Sequence, residues 1–160
     1  MRPGYPTVRE LVEWNGQEVF NHVSWHLLAQ GQRCTKGATR VCFFRNALGQ
    51  ECAVGAVIPE ALYHPAMEGK NVAALMLLLT ERPFDSGGYE VLRMFLCAHA
   101  TLLMRLMQVH DEVTPVMWPE ALVDVAESMR LDTTVIGAFV FESMRDGLPE
   151  RFTGARHVIT

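Results

Sequence analysis

Apolar residues recur at helical spacing through most of the chain, and the first stripe is Val19, Val23, His26 and Leu27 in QEVFNHVSWHLLAQ. Phe20 and Leu28 flank it, so residues 17–30 read as a helix with Gly31 as its left-handed stop. The period changes at Val41-Cys42-Phe43-Phe44, which are strand formers. Asn46-Ala47-Leu48-Gly49 then suits a type I turn with glycine at the left-handed position. A β-hairpin over about 40–57 follows, with Asn46 opposite Gln50, Phe44 opposite Cys52 and Cys42 opposite Val54. Pro59 closes the second strand and opens one short helical turn to Tyr63, and His64–Lys70 is a loop.

Helical spacing returns after the loop. Asn71 caps VAALMLLLT, and Asp85 or Ser86 caps a long helix reaching about His110. Its two apolar lines (Val91, Phe95, Ala98, Leu102, Leu106, Val109 and Leu92, Leu96, Leu103, Met107) leave a narrow polar arc, so it is expected at the centre. Two further helices, Pro119–Arg130 and Thr133–Arg145, follow beyond Pro115. Pro3, Gly4 and Pro6 make residues 1–15 an extended arm. The expected class is α+β: one domain over 1–160, mainly helical with about five helices, carrying one β-hairpin that packs on them.

Composition narrows the function. A chain of 160 residues with 49% apolar and 20% charged residues can bury a core without disulfides or metal. With 14 basic and 18 acidic residues the formal charge is −4 and no basic run forms, which counts against non-specific duplex binding. No apolar run is long enough to span a membrane, and the N-terminus shows no apolar leader. Four cysteines without an export signal fit reduced thiols in the cytoplasm. GQRCTKGAT lacks the frame of a phosphate-binding loop, and no cofactor is expected.

Three groups of residues could carry chemistry. Cys34, Cys42, Cys52 and His26 could form a metal site, although their spacing matches no Cys-x2–4-Cys knuckle. In the hairpin register Cys42 and Cys52 share a face with Phe44 and Val54, which favours core thiols. Cys34, in a polar loop beside Arg33 and Lys36, could be an exposed nucleophile with His26 or His64 as its base. His22 and His26 lie four apart, but HVSWH lacks the glutamate of a zinc protease. Arg45, Tyr63, His64, Glu68 and Lys70 gather around the hairpin mouth and could bind a ligand or partner. The alternative there is an internal salt bridge from Glu68 to Arg45.

The string CFFRNALGQECAVGAVIPEALYHPAMEGK resembles a group of small proteins of unknown function encoded in bacterial and tailed-phage genomes. Their pattern runs C-x-Y-R, G-x-x-C-A-x-G-x-x-I-P, then Y-x-x-x-x-E-G. Cys42, Arg45, Gly49, Cys52, Ala53, Gly55, Ile58, Pro59, Tyr63, Glu68 and Gly69 match it, with Phe44 in place of the tyrosine. The resemblance spans roughly residues 18–130 and implies a phage or mobile-element setting, with no activity to carry over.

A non-enzymatic binding or regulatory protein acting through a protein partner, or as a homodimer, is the first expectation. Met94, Met104, Met107, Met117, Met129 and Met144 could supply its surface. A Cys/His enzyme or metal protein is the second. Nucleic-acid binding through Arg33, Lys36, Arg40 and Arg45 is the third.

Overall fold

Helix starts are set by short polar side chains that answer the unpaired amides of a first turn. The computed structural model describes residues 4–36 and 43–146, and seven α-helices lie within them. Thr7 and Glu10 form a reciprocal capping box at the head of α1, Val8–Glu13. Asn15 and Glu18 do the same for α2, Gly16–Gln30, which Gly31 ends with φ of 62°. Asn71 caps α3, Val72–Leu78. The remaining helices are α4 Gly88–Ala98, α5 Ala100–Glu112, α6 Trp118–Met129 and α7 Thr134–Arg145.

The expected α+β class is not what forms. No β-strand occurs among the described residues, and the expected hairpin reduces to an isolated antiparallel bridge between Arg45 and Glu51. The turn itself closes, with Gly49 N bonded to Asn46 O at 3.1 Å and Cys52 N to Phe44 O at 3.1 Å. After Cys52 the chain coils into a 3-10 turn over Gly55–Val57 instead of extending. Ala53, Val54, Ala56, Val57 and Ile58 are all buried, so no solvent face sustains the alternation of a strand. Gly55 also packs so tightly on Phe44 that a Cβ there would stand 1.9 Å from the Phe44 carbonyl oxygen. Cys42, half of the expected strand pair, lies outside the described residues.

Two other expectations change. The segment expected as an extended arm contains α1, whose Leu11 is buried and which packs against α4. The long helix over 85–110 breaks at His99, with φ −112° and ψ 14°. Its start is Gly87, not Asp85 or Ser86. The ring of His99 bonds the backbone of Trp14 and lies 4.8 Å from Phe95, which fixes the break against the end of α1. Ala98, expected inside, is the last residue of α4 before the break and is exposed.

The centre belongs to α2. It buries Val19, Phe20, Val23, Ser24, His26, Leu27 and Leu28, and packs against α5, α6, α7 and the Gly55–Val57 turn. Gln17 fastens its start reciprocally to Asp132: Nε2 donates to Asp132 O at 3.0 Å, and Asp132 N donates to Oε1 at 2.7 Å.

Candidate functional site

The turn after Phe44 puts Arg45 where three loop segments meet. Its guanidinium lies between two tyrosine rings, with Cζ 3.9 Å from the Tyr5 centroid and 4.5 Å from that of Tyr63. Nη1 donates to Glu60 Oε2 at 2.8 Å, and Nη2 donates to the carbonyls of Ile58 and Gly55. Only 9% of the Arg45 side chain is exposed, so these partners answer a charge largely removed from water.

Glu68 acts on the backbone. Its two oxygens accept from Phe44 N at 2.8 Å and Arg45 N at 3.0 Å, and Tyr63 Oη donates to it at 2.7 Å. The expected link between Glu68 and Arg45 thus runs through the Arg45 amide, while the guanidinium pairs with Glu60. Arg45, Tyr63 and Glu68 do come together. His64 is exposed, with Nδ1 accepting from Ala66 N and its ring edge-on to Phe84 at 5.2 Å, and Lys70 takes no part in the cluster.

Tyr5 and Glu51 complete the arrangement, and sequence reasoning missed both. Tyr5 Oη donates to Glu51 Oε1 at 2.5 Å, and His26 Nε2 stands 3.3 Å from Glu51 Oε2. Gln30 brackets the Glu51 backbone, donating to its oxygen at 2.9 Å and accepting from its nitrogen at 2.9 Å. Burial, then the bond to Glu51, raises the Tyr5 hydroxyl to about 12. Burial and Glu68 raise Tyr63 likewise to about 12. Both phenols are therefore neutral donors near neutral pH. The signal for Tyr5 was an aromatic residue placed between Gly4 and Pro6, ahead of any helix.

Cys34 and Cys52 are closed off from solvent. Cys34, expected as an exposed loop thiol, is fully buried, with Sγ donating to Gln50 O at 3.1 Å. Its amide donates to His110 Nε2 at 2.9 Å, which leaves the His110 proton on Nδ1, 2.6 Å from Asp111 Oδ1. Trp118 stacks on His110 at 5.8 Å. Arg33, expected to activate Cys34, donates to Val113 O. Burial pushes the Cys52 thiol well up, which disfavours its nucleophilic form. His26 is engaged by Glu51, and His64 stands by Phe84. Among the described residues no three His, Cys, Asp or Glu side chains are placed to hold a metal. Cys97 lies exposed on α4 rather than among the leucines.

Two histidines set an acid limit on stability. Burial holds His22 below its ordinary value against the pull of its bond to Ala56 O and the charge of Glu10, and burial does the same to His99. The unfolded chain takes up these protons first, from about pH 6.5 downward. Stability from the neutral rings is therefore complete above that pH and is lost as pH falls through the folded-state values. Urea midpoints should drop between about pH 7.5 and about pH 5.5, and His22→Gln should reduce the drop. Equal drops in the variant and the wild type would refute the assignment to His22.

Comparison with protein-family models, curated proteins and solved structures finds no match to this chain. No helix among the described residues is long and apolar enough to cross a membrane.

Proposed function

We propose that the chain is a small non-enzymatic binding protein that acts through a protein partner, with the outer side of α4 and α5 as its contact surface. The observation that carries this reading is the exposure of Met94 and Met104, 59% and 49%, on helices that otherwise bury Leu92, Phe95, Leu96, Leu102, Leu103 and Leu106. Met94, Cys97 and Ala98 share one side of α4 at spacings of three and four. Thr101, Met104 and Gln108 do so on α5. Methionine adapts its shape to a partner and contributes polarizable contact at little steric cost. Met117 and Met144 are exposed as well, while Met107 and Met129 are partly buried. A phage or mobile-element setting rests on the resemblance of residues 18–130 alone.

The competing readings draw less support. Cys34 and Cys52 are enclosed, and Arg33 and Arg45 are engaged by carbonyls and, for Arg45, a carboxylate. Cross-linking in the producing cell followed by mass spectrometry tests the proposal. Partner cross-links should concentrate around residues 94–104 and vanish in a Met94→Lys/Met104→Lys variant whose melting temperature is unchanged. An identical cross-link pattern in that variant would remove this surface from consideration.

A further inference from the structure

Tyr5 is held as a bound molecule would be. Its ring lies on the guanidinium of Arg45 and its hydroxyl donates to Glu51, 46 positions away. Among the described residues its backbone makes no hydrogen bond, so ring and hydroxyl carry the polar attachment. It stands outside any helix, between Gly4 and Pro6, and is 39% exposed. The two walls of its slot are fixed by other groups. Glu60, the Ile58 and Gly55 carbonyls and the Tyr63 ring hold the Arg45 side chain, and Glu68 holds its amide. Gln30 and His26 hold Glu51, which is only 7% exposed. Removing Tyr5 therefore opens a cationic face and a carboxylate already in place. The Nε of Arg45 is also buried without a hydrogen-bond acceptor, so one donor of that wall is unused.

We propose that the slot between Arg45 and Glu51 is a binding site for a small phenol-like ligand, closed in this structure by Tyr5 as a tethered occupant. The ligand class follows from the walls. A flat ring suits the face of a guanidinium, and a hydroxyl donor suits a carboxylate held by a histidine. A free ring suffices, since the slot takes no hold of the Tyr5 main chain. The site lies apart from α4 and α5 and does not depend on the partner surface proposed above. Ligand and Tyr5 compete, so the N-terminal strap sets the apparent affinity by the fraction of time it is displaced.

The probe is p-cresol, which reproduces the tyrosine side chain, with toluene as the same shape lacking the hydroxyl. Titration followed by NMR should show saturable binding of p-cresol to a folded Tyr5→Ala variant, with shifts at Arg45, Glu51 and Tyr63. Toluene should bind at least about tenfold more weakly, because it lacks the hydroxyl donor that Glu51 Oε1 accepts from. The wild-type chain should show the same shifts at higher p-cresol concentration as Tyr5 gives way. No saturable binding to folded Tyr5→Ala would overturn the site. Toluene binding as well as p-cresol would reduce it to a hole left by truncation. Absence of the shifts in the wild type up to the solubility limit of p-cresol would overturn the displacement by ligand.

Discussion

Gly55→Ala is expected to leave little or no folded protein. The added Cβ would stand 1.9 Å from Phe44 O and 2.7 Å from Phe44 C, both backbone atoms that no rotamer change can move. Relief requires the Phe44 carbonyl to shift, and that carbonyl accepts from Cys52 N. It also displaces the Gly55 carbonyl that faces Arg45 Nη2. A loss above about 4 kcal/mol is expected, against a total of about 5–15 kcal/mol for an ordinary domain. Gly16→Ala is the control, since nothing lies within 4 Å of its Cβ position and it opens α2. That variant should be neutral or more stable by about 0.5–1 kcal/mol. Thermal melts followed by circular dichroism decide the matter. A Gly55→Ala protein melting like the wild type would rule out the close approach to Phe44.

Glu68→Ala is the second large effect. It removes the acceptor of two backbone amides, one belonging to buried Phe44, and of the Tyr63 hydroxyl. A donor left without a partner costs about 1–3 kcal/mol when buried. Arg45 and Tyr63 are only partly buried, so a total at the lower end, about 3–5 kcal/mol, is expected. Glu68→Gln keeps one acceptor oxygen and should lose roughly half of that. The amides of Phe44 and Arg45 should exchange with solvent faster in Glu68→Ala, while those of α2 follow only the global loss. Unchanged denaturation midpoints with unchanged protection at 44 and 45 would show that Glu68 is not the anchor.

The parts of the fold legible in sequence are those fixed by neighbours in the chain. Asn71 announces α3 and Gly31 ends α2, because a cap is a contact across three or four residues. The hairpin failed for a non-local reason. Val54 to Ile58 form a buried coil rather than a strand, set by burial against α2 and by Gly55 against Phe44. The break at His99 carries neither glycine nor proline, and the partner of its ring is Trp14, 85 positions back. At the site, Arg45, Tyr63 and Glu68 could be grouped from one motif, whereas Tyr5 belongs to the same cluster through space alone. Glu51 sits inside the apparent strand, where a carboxylate looks like its solvent-facing half. The exposure of Cys34 was misjudged because loop composition does not reveal a histidine waiting on α5.

The position of α2 bears on synthesis of the chain as well as on its finished form. This helix is made before α5, α6 and α7, which cover much of it. The clasp between Gln17 and Asp132 closes a separation of 115 residues. Until then part of the buried face of α2 has no permanent cover, and loops of that span close slowly compared with local turns. Translation arrested before α6 should leave a nascent chain that chaperones hold, with release of the folded product coupled to completion of α6 and α7.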